Sequence, residues 1–514
     1  MPLQPLWASP RTVALLVAGY LLVHFGVRLW MGPTLGFDDA EQALFAQHWL
    51  PSYRLRGPPL FTWALLAISP VAGFGMVAIG LLRYALLAMV LGFSWAAARR
   101  LIGDPVLAAL AAFSFTAIYV FGYYSHHDLT HTTVLSAFLA ASWYVFVRLC
   151  ETPRLGWYLA LGLCFGLGTL GKWNFAIFAV ALPLACLVHP GYRALVLSWK
   201  ILPAALVAAA IAAPPALWIL TVGAAEGDGI GEVLGQQSGS PLLILAKGTA
   251  SLALAVLAYP LPFLAIFLAV FGTAAWAGLR AAEPPGQELQ PIPDVRLIGT
   301  VMAIALGLHW LLVPIAGATQ FPERLMQPAL LILPIWLFML VERSGRPLAR
   351  AAGVYAAVLA VVAGTALAVR IGVHAAGGDY CRRVCRDQLP AADLAAGLRE
   401  AGFSGKGTIV VRDMHLGGNL RVAFPEARVV DIGYPPRVWP RPSGTGQCLA
   451  VWTEYGGPVE QARNRVYGYA GRELGVAADA PKREGEVTAH LLRARTRSYR
   501  LYYGLYDGPQ GECR

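Results

Sequence analysis

Apolar runs of roughly 20 residues recur from residue 11 to about residue 370, each long enough to cross the hydrocarbon core of a bilayer as a helix. The pattern predicts eleven such helices, near 11–30, 74–98, 105–122, 130–148, 156–170, 173–189, 200–222, 249–279, 297–315, 325–342 and 350–370. The first run, TVALLVAGYLLVHFGVRLW, is too long for a signal-peptide core and no small-residue cleavage site follows it. It reads as a retained first helix. Residues 31–73 then form a long external loop. Within it, DDAEQALFAQHWL places Ala40, Ala43, Leu44 and Trp49 at helical spacing, predicting an amphipathic helix lying flat on the membrane surface. PPLFTWALLAI is shorter than a spanning helix and predicts a second interfacial or re-entrant segment.

Near residue 375 the pattern changes. The chain takes on ordinary charge density, with a helical stretch at 391–402 and strand-like runs at GTIVVR, ARVVDI and CLAVWTEY. The predicted fold class is therefore an all-α polytopic membrane bundle over residues 1–374, followed by a soluble α/β domain over residues 375–514 that is large enough for one small core.

Composition sharpens this picture. Charged residues make up 13% of the chain, about half of what a soluble domain usually carries, and mean hydropathy is +0.56. The net charge of +11 does not point to nucleic acid, because the basic residues form no single patch. They recur in alternate short loops (Arg99 and Arg100, Arg148 and Arg154, Arg193 and Lys200, Arg280 and Arg296, then Arg343, Arg346 and Arg350), which marks those loops as cytoplasmic. Alternation puts the N-terminus inside, and eleven helices leave the C-terminal domain outside. Cys150, Cys164 and Cys186 fall in or beside helices and read as small buried apolar residues. Cys381, Cys385, Cys448 and Cys513 fall in the soluble domain, where an oxidising compartment allows up to two disulfides of open pairing.

Four polar clusters stand out at the predicted outer ends of the helices. GFDDAEQ places Asp38, Asp39 and Glu41 just beyond the first helix, where the plainest role for one aspartate is a helix cap. YYSHHDLTH carries His126, His127, Asp128 and His131 beside apolar runs, where ionisable groups are costly and often functional. His127 and His131 are four residues apart, so a shared helix face and a divalent cation completed by Asp38 or Asp39 stay open. The plain alternative is a solvated loop whose Asp128 caps the next helix. LGKWNF sets Lys172 and Asn174 on a tight turn, and QFPERLMQP sets Arg324 and Gln327 at the outer end of the tenth helix. The glycine-rich loop EGDGIGEVLGQQSGS, 226–240, fits no phosphate-loop pattern and reads as a mobile lid. Carboxylates with cations on one face suit a lipid-phosphate substrate: cations hold the phosphate while a carboxylate takes a proton from an acceptor hydroxyl.

FDDAEQALFAQHW, GPPLFTW, HDLTHTTVLSAFLAASWYVF, LGTLGKWNFAIF and FPERLMQPALLILP, in that order, resemble successive blocks of bacterial family 39-type glycosyltransferases of the GT-C fold. These polyprenyl-phosphate-sugar-dependent enzymes are related to protein O-mannosyltransferases and the aminoarabinose transferase of lipid A. The resemblance spans about residues 11–345 and leaves the C-terminal domain unmatched. It implies a bacterial inner-membrane enzyme that works on the periplasmic side. A sugar would pass, with inversion, from a polyprenyl-phosphate donor to lipid A, another lipid or an envelope glycan. It further implies Asp38 as base with Asp39 and Glu41 in support, and Lys172 and Arg324 facing the donor phosphate. The family often has Lys or Gln before its Pro-Pro pair; here Gly57 stands there, with Arg56 as a candidate replacement. No cofactor is required by this reading. A flippase for lipid-linked sugars would need polar groups at the membrane midplane and inverted repeats, neither of which the pattern contains. A non-catalytic relative that binds a lipid-linked glycan would differ only in lacking turnover.

Overall fold

The computed structural model describes residues 8–54, 57–223, 235, 239–281, 292–380, 386–442, 446–454, 457–477, 480, 482–506 and 513. Eight of its helices are long and apolar enough to cross a membrane, or nine if the sharply bent pair Phe175–Val188 and Pro190–Leu197 is one span. Three further apolar helices have 10–17 residues. The chain divides into two units: residues 1–25, 54–60 and 83–367 in the first, and 26–53, 61–82 and 368–514 in the second.

The first unit is helical. Its core includes a cluster of rings from Phe263, Phe267, Phe271, Phe338 and Tyr355, with neighbouring centroids 5.2–6.5 Å apart in tilted and edge-on arrangements. The Tyr355 hydroxyl is satisfied by Ser114 Oγ at 2.8 Å. The helix expected over 249–279 is two helices, Pro241–Ala258 and Phe263–Arg280. Pro260 and Pro262 lie in the gap and cannot supply the N–H groups that a continuous helix needs. The freed backbone pairs instead with the start of the short Tyr119–Gly122 helix, Tyr119 N donating to the Leu261 carbonyl at 3.2 Å. The helix expected over 325–342 is also broken. A 3₁₀ turn at Glu323–Leu325 and a short helix at Gln327–Leu330 precede Leu333–Arg343.

The second unit is built on a five-stranded sheet in the order β2-β1-β3-β5-β4, from β1 Gly407–Val411, β2 Ala427–Asp431, β3 Gln447–Thr453, β4 Lys482–His490 and β5 Ser498–Tyr506. β1 pairs in parallel with both β2 and β3, with Ile409 opposite Val429 and Leu449. Its near-continuous apolar run suits a strand covered on both faces. The three strand-like runs and the 391–402 helix (Ala391–Glu400) appear as expected. The antiparallel pair β4–β5 was not anticipated, because KREGEVTAH is an edge strand whose residues all retain some exposure. Cys448 on β3 is disulfide-bonded to Cys513, while Cys150, Cys164 and Cys186 are free and buried. Cys381 and Cys385 lie outside the described residues, as does most of the 226–240 segment.

Asp431 ends β2 fully buried, and burial pushes its carboxyl up to about 7, against the opposing hydrogen bond from Gly433 N at 2.8 Å. Between the ordinary value of 3.8 and about 7 the folded chain keeps a proton that the unfolded chain has lost. Stability from this group therefore falls as pH rises through that window. Asp431→Asn is expected to slow hydrogen exchange in β2 relative to the parent at pH 8 and to change it little at pH 5. Equal effects at both values would count against this account.

Candidate active site

The first carboxylate cluster belongs to the second unit. Phe37–Phe45 is a helix whose N-cap is Gly36, with no side-chain capping bond. Neither aspartate is the cap, contrary to the expectation. They are the second and third residues of the helix, in the first turn, where the unpaired N–H groups and the helix dipole favour negative charge. Asp38 is half-buried, whereas Asp39 and Glu41 are buried. The helix does not lie flat with one face open, since every residue from Asp39 to Phe45 is buried.

What covers it is the Met414–Ala423 helix of the same unit. A Cβ on Gly418 would stand 2.0 Å from the Ala40 carbonyl oxygen, so only glycine lets the two backbones meet. The entry to the carboxylate helix is clamped as well. Leu35 N donates to Asn419 Oδ1 at 2.9 Å, the Leu35 carbonyl lies 2.9 Å from His415 Nε2, and Thr34 Oγ1 donates to the Leu389 carbonyl at 2.9 Å. At the other end, the Gln47 amide donates to the Val429 carbonyl at 2.8 Å and accepts from Val429 N at 2.9 Å, capping the free edge of β2. Thr62 Oγ1 donates to Gln42 Oε1 at 2.6 Å. The part of the second unit that carries the sheet thus holds the carboxylates in place. Gly418→Val forces a side chain into main-chain atoms that cannot yield, a change of the kind that costs about 1–3 kcal/mol or more. Faster hydrogen exchange across residues 37–45 is the expected result.

The remaining clusters belong to the first unit. The turn before the Thr130–Glu151 helix is only partly solvated: His126 is fully buried, while His127 and Asp128 keep some exposure. Its ring stacks on His24 at 3.7 Å, and its Nε2 is 2.9 Å from the Tyr20 hydroxyl. Leu129 adopts φ 69° and is the N-cap of that helix, so Asp128 does not cap it. The left-handed residue also separates His127 from His131, which do not share a helical face. His127 lies instead against the rings of Tyr123 and Tyr124, at 5.2 and 5.5 Å. Arg83, 2% exposed, donates to the carbonyls of Ser125 (2.9 Å) and Asp128.

The Lys172–Asn174 turn is bonded both to the start of the Thr130–Glu151 helix, beside His131, and to the turn that carries Arg324. Lys172 Nζ donates to Thr132 Oγ1 at 3.2 Å, one residue past His131. Leu60 N donates to the Leu170 carbonyl at 3.2 Å, tying the Gly57-Pro58-Pro59 stretch to the same turn. A Cβ on Gly57 would stand 2.9 Å from His131 Nε2, so His131 occupies the space that a larger residue before the Pro-Pro pair would need. Asn174 Nδ2 donates to the Leu325 carbonyl at 3.3 Å, and His309 Nε2 lies 3.0 Å from the same oxygen. Two side chains therefore fix the turn that carries Arg324. Gln327 is fully buried, and neither its Nε2 nor its Oε1 has a hydrogen-bond partner among the described residues, which suits contact with a ligand. Arg56 lies outside the described residues. No three His, Cys, Asp or Glu side chains among the described residues form a group able to hold a metal ion.

Tyr20, His24, Arg83 and His309 were missed in the sequence. Each is a polar residue inside an apolar run, and that is the signal that could have found them.

Residues 56–218 match the family model described as dolichyl-phosphate-mannose-protein mannosyltransferase. The chain is 28% identical over 445 residues to the lipopolysaccharide core galacturonosyltransferase RgtA of Rhizobium johnstonii, covering 86% of each. It is 30% identical over 424 residues to RgtB, the lipopolysaccharide core galacturonosyltransferase of the same organism, covering 82% of this chain and 83% of the relative. The crystal structure of ArnT from Cupriavidus metallidurans bound to undecaprenyl phosphate superposes with a TM-score of 0.54 at 16% identity, covering 98% of this chain and all of that one, which shows a common fold. Fold and relatives together define a multi-pass bacterial membrane glycosyltransferase of the GT-C type. Within that class, the chain belongs to the family of the lipopolysaccharide core galacturonosyltransferases.

Proposed function

We propose that the protein transfers a galacturonate-type sugar from a polyprenyl-phosphate donor to lipopolysaccharide core on the periplasmic side of the inner membrane. The observation that carries this reading is the likeness to RgtA and RgtB, which covers 86% and 82% of this chain. The Cys448–Cys513 disulfide supports an oxidising, extracytoplasmic location for the domain.

In this reaction Asp38, supported by Asp39 and Glu41, accepts the proton of an acceptor hydroxyl. The hydroxyl oxygen forms a bond to the anomeric carbon as the bond from that carbon to the phosphate oxygen breaks. The configuration inverts, and polyprenyl phosphate leaves with the electron pair. Lys172 and Arg324 offset the charge that develops on the phosphate, and Asn174 and Gln327 help to place it. His131 beside Gly57 stands where the family's Lys or Gln would project, and His126, His127 and Asp128 shape the adjoining turn. In membranes given labelled polyprenyl-phosphate galacturonate and lipopolysaccharide, label is expected to enter the core. Donor binding with no turnover would instead fit a non-catalytic relative.

A further inference from the structure

A polar cavity lies wholly within the second unit. It encloses about 520 Å³, within the range of small-molecule sites and far more than a bare phosphate fills. Arg428, Arg437 and Arg441 line it with a single carboxylate, Glu473, so its charge is predominantly positive. Four of its lining side chains have a polar atom without a hydrogen-bond partner among the described residues: His48 Nδ1, Arg428 Nε, Trp439 Nε1 and the Tyr469 hydroxyl. Trp439 and Tyr469 are only 5% and 7% exposed. Donors left unpaired at that depth are costly unless something in the cavity accepts from them.

The walls are also fixed in advance. Trp439 is stacked on Phe45 at 5.9 Å and meets Tyr434 edge-on at 5.8 Å. His48 follows directly on Gln47, whose amide is locked to Val429, the neighbour of Arg428 on β2. Burial holds the Arg428 guanidinium below its ordinary value, the mark of a cation short of compensating charge.

We infer that this cavity binds an anionic sugar, one bearing a carboxylate or phosphate that the arginines engage while its hydroxyls accept from the unpaired donors. The size argues against a lone inorganic anion and the donor excess against a neutral glycan. The proposal rests on the second unit alone and does not depend on the transfer reaction.

The test is saturation-transfer NMR on the full-length protein in neutral detergent, with no lipid donor present. The probes are galacturonate, glucose 6-phosphate and galactose, with inorganic phosphate, which carries no carbon-bound protons, read by its competition with galacturonate. The two charged sugars are expected to bind, separating carboxylate from phosphate preference, with galactose and inorganic phosphate at least about tenfold weaker. That ratio corresponds to about 1.4 kcal/mol. Arg428→Gln and, at an exposed position where folding is not at stake, Arg441→Glu should each weaken the charged sugars by about tenfold or more. Equal binding of galactose and galacturonate, no binding of either charged sugar, or unchanged binding in Arg441→Glu with Arg428→Gln would overturn the proposal.

Discussion

Asp38→Asn with Asp39→Asn is expected to reduce sugar transfer by at least about 100-fold while leaving the protein folded and able to bind its lipid donor. The magnitude is that of a lost general base, typically 10²–10⁴ in rate. Asparagine keeps the shape of each side chain, and neither aspartate caps the Phe37–Phe45 helix, so the substitution does not remove an N-cap bond. The helix is held by the Gly418 contact and the Leu35, Thr34 and Gln47 bonds, none of which involves a carboxylate. The two single variants apportion the roles. Asp38 is the less buried and the better placed to meet an acceptor hydroxyl, so Asp38→Asn alone should carry most of the loss in kcat. Asp39, at 0% exposure, should act more through placement of its neighbours. The measurement is initial rate with labelled donor, alongside donor binding. Full transfer by the double variant would remove both residues from the mechanism.

How much of this was legible in the sequence differs by element. Hydropathy alone located most of the membrane helices, because an apolar run of spanning length has few other fates in a chain of this composition. It misread 249–279, where Pro260 and Pro262 were the available warning, and 325–342, where Pro328 and Pro334 were. The apolar strands β1 to β3 were legible for the same reason, and the polar edge strand β4 was not. Around the carboxylates, spacing predicted a helix but not its surroundings. Periodicity reports which side of a helix is apolar and says nothing of what covers the other side. The helix that covers this one meets it at Gly418 and clamps its entry through Asn419, nearly 380 residues away, and no local pattern encodes such a contact. In the histidine turn, one left-handed residue, Leu129, undid the four-residue spacing on which a shared metal face would have depended.

That same turn sets the second large expectation. Arg83 sits in the run GLLRYALL, and its guanidinium is buried with donors on the Ser125 and Asp128 carbonyls. A turn that passes through a left-handed leucine has no regular ladder to satisfy those oxygens, so the arginine does it from a neighbouring helix. Arg83→Met removes the charge and takes the arginine donor from the buried Ser125 carbonyl and the part-buried Asp128 carbonyl, at roughly 1–3 kcal/mol for the buried one. The His126 and His131 positions on either side would then lose their support. Arg83→Lys keeps the charge, but one ammonium group lacks the planar fork that reaches both oxygens, so it should fall between the parent and methionine. In detergent, thermal unfolding of Arg83→Met is expected well below that of the parent. Below its unfolding temperature, faster hydrogen exchange should be confined to residues near 123–131 and transfer should fall by more than about tenfold. A variant with normal exchange there but lost transfer would instead make Arg83 a direct contact of the donor. One with normal exchange and normal transfer would show that the turn holds itself.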